Sequence, residues 1–263
     1  MIRRSFTSLS MSELDALASA FNKVWDAGLI VSNAQLHDDN FYKGIHWGPA
    51  FLPWHRDFLR KLELALQSHD TTVTLPYWDW TEAESRDLNS GEWERVFGGR
   101  DNKGGKFDHW TYFRNNVAAG RPLPALSDIV GELEAPSFLR FRALETGSHV
   151  PGHTWTGGSM ASGKSPLDPL FYLHHCNLDR IWSIWQLNNS QKEQYEHTGA
   201  LSSDSVPEAR VPLNVTMIGG ATPASMLDHS TLGYTYSEDQ RLADAWRAKH
   251  GTELVTHVEQ LVL

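Results

Sequence analysis

The sequence holds a single cysteine, Cys176, among 263 residues. An intramolecular disulfide is therefore excluded, and so is a zinc or iron–sulfur site built from several thiolates. Such a chain is compatible with a reducing compartment. No stretch approaches the ~20 apolar residues that a helix needs to cross a membrane. The N-terminal segment MIRRSFTSLSMSELDALASAF has two arginines but lacks the long apolar run of an export signal. The expectation is a cytoplasmic protein with no membrane partner, unless it leaves the cell together with a second protein. A basic excess is also missing. Against 32 Asp and Glu stand 23 Lys and Arg, a formal net charge of −9, which argues against a nucleic-acid partner. There is no internal repeat and no low-complexity tract, and one domain over residues 1–263 is expected.

What the chain does have is aromatic and imidazole side chains: 11 Trp and 13 His. Its length suffices to bury a large core. Residues 11–28, MSELDALASAFNKVWDAG, place Leu14, Leu17, Phe21 and Trp25 on one helical stripe, with Ser12 as a candidate cap and Gly28 as a stop. A second helix is expected through WHRDFLRKLELALQSH, with Pro53 in its first turn. TLPYWDW (74–80) reads as an extended core segment, with Asp79 bonded internally, and 81–135 as loops with short helical pieces. APSFLRFRALE (135–145) reads as helical. A further helix is expected from GSHVPGH, with Ser148 as N-cap. TGGSMASGKSP reads as a flexible loop. LDPLFYLHHCNLDRIWSIWQL reads as a strong helix capped by Asp168, with Trp182 and Trp185 in the core. Residues 188–230 are expected to be mostly loop, LGYTY (232–236) a short strand, and SEDQRLADAWRAKH a surface helix. The class is mainly α.

Six histidines fall into two groups, His37, His46, His55 and His149, His153, His175. His149 and His153 are four apart and share one face of a helix. His175 lies on the side of Phe171, Leu178 and Trp182. A buried imidazole sheds its charge, and neutral imidazole is a good ligand. Sets of three imidazoles without carboxylate or thiolate suit copper or zinc. Any one of these histidines alone is equally well a satisfied core or surface residue. It is the pairing of two triples, each within apolar aromatic helix, that favours metal. His69, His109, His197, His229, His250 and His257 are scattered and read as surface or local structural residues.

HWGPAFLPWHRDFLRKLELAL with LPYWDW, and HVPGHTWTGGSMASGKSPLDPLFYLHHCNLDRIW, resemble the copper-A and copper-B signatures of the tyrosinase family, the type-3 copper proteins that include tyrosinases, catechol oxidases and hemocyanins. GYTY resembles the Tyr-x-Tyr motif near the end of the catalytic domain. RRSFTSL resembles the N-terminal stretch whose arginine stacks on it, which implies Arg3 or Arg4 on Tyr236 as a cation–π pair. The resemblance implies a four-helix bundle holding a dinuclear copper site, with long loops and a few short strands. It implies His37, His46 and His55 as ligands of the first copper, and His149, His153 and His175 as ligands of the second. His174 and Asp179 then stand behind the ligands, Asp179 fixing an imidazole tautomer, and Glu145 is an acid near the metals. The implied activity is oxidation of o-diphenols or o-aminophenols to o-quinones, with two copper ions as cofactor and dioxygen as co-substrate. Ortho-hydroxylation of monophenols is the further activity of a tyrosinase. The implied partners are a small phenolic substrate and a copper-delivery chaperone.

The chain departs from the family's pattern in places. Val150 stands where many bacterial members have Asn, so a hydrogen bond to a water beside Glu145 is missing. Thr154 stands where some members have a basic residue. Gly163 stands near the gate over the second copper, where plant members place Phe; it either opens the pocket, with Lys164 attracting an anionic group, or belongs to a flexible turn. Cys176 follows a ligand of the second copper, so no thioether to His46 is expected. Only about 27 residues follow GYTY, too few for the shielding domain of many relatives, so the site is expected to be open or protected by a separate partner. Two other readings remain open at this level: a non-enzymatic dioxygen carrier of hemocyanin type, and a zinc hydrolase that uses one triple.

Overall fold

The structure is a computed structural model that describes residues 1–89, 91–114, 122–189, 194–195 and 216–250. His197 and His257 lie outside the described residues, as does most of the loop expected over 188–230. The described helices are α1 (Met11–Asp26), α2 (Leu29–Asp39), α3 (Phe51–Gln67), α4 (Gly91–Phe97), α5 (Leu126–Leu133), α6 (Phe138–Phe141), α7 (Val150–Thr156), α8 (Leu170–Asn188) and α9 (Gln240–His250). Two strands of two residues, β1 (Ile2–Arg3) and β2 (Thr235–Tyr236), pair in parallel and tie the N-terminus to the Tyr-rich segment. The mainly helical class stands.

α1 starts at Met11 as expected, but its cap lies two residues earlier than Ser12. Ser10, not Ser12, is the cap: its hydroxyl accepts the Glu13 N–H while Glu13 accepts the Ser10 N–H. Leu14, Leu17 and Phe21 are buried as expected. Gly28, at φ 78°, ends the first run and begins α2 at once. α2 carries His37 although LIVSNAQLHDD shows little amphipathic pattern; only Ile30, Ala34 and His37 on it are buried.

α3 and α8 are the long central pair, packed against each other. On α3, Phe58, Leu59, Leu62 and Leu66 make the apolar stripe. α8 is buried almost all round, and Trp182 and Trp185 are inaccessible. Asp168 does accept the Leu170 N–H, at 2.9 Å, and is also held by Arg114 on both carboxylate oxygens. Ser148 is not an N-cap. It lies inside a π-type turn over Glu145–His149 that runs straight into α7, and its hydroxyl donates to Glu132 instead. APSFLRFRALE forms only the single turn of α6 before that bend. TGGSMASGKSP is two short 3₁₀ turns, Gly158–Ala161 and Ser165–Leu167, packed on one another and on α2. TLPYWDW is extended and buried; Asp79 accepts from Thr81 and Arg241.

Candidate metal centre

α2, α3, α7 and α8 converge on one imidazole cluster. α2 supplies His37 and α3 supplies His55. His46 comes from the link between them, His149 from the π turn, His153 from α7, and His174 and His175 from α8. His37, His46 and His55 bring ring nitrogens within 4.8 Å of one another.

Five of these rings are fixed by backbone carbonyls. Nδ1 of His37 faces the Gly163 oxygen at 2.6 Å, His46 that of Phe41 at 3.2 Å, and His55 that of Phe51 at 2.8 Å. Nδ1 of His149 faces Glu145 at 3.2 Å and His153 faces Met160 at 2.6 Å. A carbonyl only accepts, so Nδ1 carries the proton and Nε2 presents a lone pair. The His55 and His149 bonds reach back four residues along their own helical turn, which is how local sequence aims the rings. Nε2 of His37, His55 and His149 is buried with no partner. Burial drives all of these imidazoles toward the neutral form, His37 and His153 down to about 4. Bare lone pairs on neutral rings, stripped of water and left unpaired, are what a metal ion satisfies. The residues fit copper.

The third ring of the second triple has two candidates. His174 brings a ring nitrogen within 4.8 Å of ring nitrogens of His149 and His153. Its Nε2, however, donates to the His149 carbonyl at 3.0 Å, leaving Nδ1 without a partner. The ring lies so close to Gly152 that a Cβ there would sit 2.2 Å from it. His175 points its Nε2 at Nε2 of His153, 3.3 Å away, and stacks on the His55 ring, centroids 4.3 Å apart. Two nitrogens each 2.0–2.1 Å from one tetrahedral ion stand about 3.3 Å apart, so His175 has the spacing of a ligand with His153. His174 spends its Nε2 on the backbone, and its Nδ1 edge packs against Gly152.

A cavity of about 150 Å³ reaches the cluster. It is lined by His37, His46, His149 and His153, by the expected Glu145, Val150 and Thr154, and by Phe41, Trp47, Met160, Ala161, Ser162 and Ser165. Glu145 accepts the Trp47 N–H at 2.6 Å, and burial lifts its carboxyl to about 7 despite that bond and the nearby Arg142. A larger cavity of about 240 Å³, between α5, α8 and α9, holds none of the cluster's histidines; chemistry rather than size singles out the smaller one.

Three expectations need correction. Gly163 does not open a gate. A Cβ there would lie 2.1 Å from Asp38 Oδ1, and the residue's role is close approach to α2 and a carbonyl for His37. Lys164 is exposed and does not line the cavity. Asp179 orients no imidazole. Its two oxygens are taken by Arg3, Arg56, Tyr234 and Tyr236. Arg3 lies over Tyr236 as expected, at 5.8 Å, where it also donates to the hydroxyl, and more closely over Tyr234, at 3.5 Å. Cys176 is buried, with Leu75 O and Tyr236 OH as neighbours of its sulfur. Among the scattered histidines, His69 and His109 are exposed. His229 packs on Tyr234 and Tyr236, and His250 pairs with Glu134. Sequence reasoning missed Phe41, Trp47 and Met160. Adjacency to ligands was the available signal for Trp47, which follows His46.

The common central domain of tyrosinase matches this chain in two overlapping segments, residues 27–124 and 107–188. A tyrosinase of Streptomyces lincolnensis is 34% identical over 236 residues, 76% of this chain and 84% of that protein. A tyrosinase of Streptomyces antibioticus is 31% identical, over 89% of this chain and 98% of that protein. In fold, a functional unit of octopus hemocyanin superposes with a TM-score of 0.60 at 24% identity, covering 99% of this chain and 72% of that one.

Proposed function

The chain belongs to the tyrosinase family, and from that premise we propose that it works as a type-3 copper phenol oxidase converting o-diphenols, or o-aminophenols, to quinones with dioxygen as co-substrate. The observation that carries this reading is the set of buried, partnerless lone pairs on neutral imidazoles. His37, His46 and His55 would hold one copper, and His149, His153 and His175 the other. When bound, the copper pair supplies dioxygen activation and takes up the electrons of the phenol.

The protein's own part follows from its geometry. Backbone carbonyls hold the ligand rings in one tautomer. Phe41, Val150 and Met160 give the cavity an apolar wall that excludes water. Glu145, with its carboxyl near neutrality, accepts the phenolic proton at working pH. Val150 offers that carboxylate no polar help, so catechols, which lose their protons more readily, are turned over in preference to monophenols. A non-catalytic dioxygen carrier is not favoured, because the relatives that match over most of their own length are tyrosinases. Cytoplasmic copper loading by a separate chaperone belongs to the same proposal.

The test is oxygen uptake and quinone absorbance by copper-loaded protein with a monophenol and its matching catechol. Turnover of catechol alone is expected. Turnover of both would show that Glu145 suffices for hydroxylation. Turnover of neither, with two coppers bound, would overturn the oxidase reading.

A further inference from the structure

Two large aromatic side chains stand exposed beside the cavity. Trp47 is 50% and Tyr42 76% accessible. Their rings are nearly parallel, 19° between planes and 5.5 Å between centroids. Trp47 lines the cavity next to His46, and Phe41 braces it edge-on at 5.2 Å. Its backbone sits at φ 54°, one of two non-glycine residues in the left-handed region among those described. That conformation is costly for a bulky residue. It is held from both sides: Glu145 accepts the Trp47 N–H, and the Trp47 carbonyl accepts from Arg142. The strain turns the indole to the cavity mouth rather than into the core.

The cavity itself, at about 150 Å³, is well below the several hundred Å³ that enclose a drug-sized ligand. It takes one ring. Whatever a larger phenol carries beyond that ring extends past the mouth, where Trp47 stands with the exposed Ala161 and Ser162. Building on the oxidase reading, we propose that Trp47, backed by Tyr42, is a stacking platform for a second aromatic ring, so that the preferred substrates are two-ring phenols. Stacking on an exposed aromatic face is favourable for another flat ring and tolerant of its substituents. Trp47 thereby sets specificity through its side chain while its N–H positions Glu145.

The experiment compares catechol with 4-phenylcatechol on wild type, Trp47→Gly and Tyr42→Ala. Glycine retains the N–H and accepts the left-handed backbone. Affinities are read anaerobically by calorimetry on copper(I)-loaded protein, and kcat and KM aerobically. Wild type should bind 4-phenylcatechol more tightly than catechol, and Trp47→Gly should cut that Kd ratio about tenfold, with Tyr42→Ala giving a smaller cut. The same change should appear in KM rather than kcat. An unchanged ratio, or equal losses for both ligands, overturns the platform and leaves the aromatic pair as a docking face for another protein. A shifted Kd ratio without any turnover sustains the platform and sinks the oxidase reading instead.

Discussion

Two buried polar clusters sit one helical turn apart on the same pair of helices, and they could hardly be built more differently. α3 supplies His55 to one and Arg56 and Glu63 to the other; α8 supplies His175 and Asp179. In the second cluster nearly every polar atom is answered. Arg3 grips both oxygens of Glu63 at 3.1 and 2.9 Å, and Arg56 Nε meets Asp179 at 2.5 Å. Tyr234 donates to Asp179 at 2.7 Å, and the guanidiniums of Arg3 and Arg56 lie over Tyr234 and Trp182. Two positive charges face two negative ones. In the histidine cluster no charge is balanced because burial has removed the charge, and lone pairs point at one another unanswered. Equal burial therefore has two meanings. A closed network ties the N-terminal strand and the Tyr234–Tyr236 segment to the helices, whereas buried lone pairs without partners suit a metal ion.

The sharpest way to break the comparison is to delete one member of each cluster. His153→Ala should lose one of two coppers, read by metal analysis, and oxidase activity should fall below detection, because each ion depends on its full triple. Asp179→Ala should do the opposite. It strands Arg3 and Arg56 without their shared carboxylate, and a broken buried pair costs about 3–5 kcal/mol. Its melting temperature should drop steeply, while the fraction still folded binds two coppers. Normal stability in Asp179→Ala, or normal activity in His153→Ala, would erase the distinction.

Acid separates the clusters in time. His37 and His153 titrate at about 4 in the fold because burial disfavours their charge, against about 6.5 when exposed. The unfolded chain thus binds more protons between those values. In metal-free protein the histidines' contribution should be complete above pH 6.5 and shrink by of order 3 kcal/mol or more as pH falls toward 4. Burial alone would push Asp179 up, but Arg56 and Arg3 pull it below the usual carboxylate range. Its contribution is present above pH 3.8 and fails only below that. Denaturant titrations at stepped pH should therefore show an early loss, reduced by bound copper, and a later one indifferent to it.

The two clusters also differ in how far the sequence revealed them. That the six histidines gather in one place was legible because the pattern repeats a spacing, as in His149 and His153, and because the stretches that resemble the copper-A and copper-B signatures are continuous in sequence. The paired network was half legible: an N-terminal arginine was expected on Tyr236, and Arg3 lies over both Tyr236 and, more closely, Tyr234. Asp179 was assigned to the wrong cluster. At one turn past His175 an imidazole and a guanidinium are equally reachable, and only the fold shows which one arrives. α2 escaped because its helix is stabilised by tertiary packing of only Ile30, Ala34 and His37 rather than by a full apolar stripe. Gly163 misled for a similar reason. In sequence a glycine reads as freedom, and here it is close approach to Asp38. The π turn had no signal at all, since it arises where α6, Ser148 and Glu132 meet.

Glu132 gives the smallest effect and the finest probe of that turn. It lies on α5, its carboxyl is shielded, and Oε1 accepts the Ser148 hydroxyl at 2.7 Å while Oε2 has no partner. Burial raises it to about 7, only partly offset by the Ser148 bond. The sign is opposite to that of the histidines. The folded state holds the proton more tightly than the unfolded one, so this group's contribution falls as pH rises from 4.5 through 7, by up to about 3 kcal/mol. Glu132→Gln cannot ionise and retains an oxygen for Ser148. It should remove Glu132's share of the slope, leaving that of Glu145, and stabilise the protein at pH 8 while matching wild type near pH 4.5. If no gain over wild type appears at pH 8, the Glu132 carboxyl is solvated there and burial does not hold its proton.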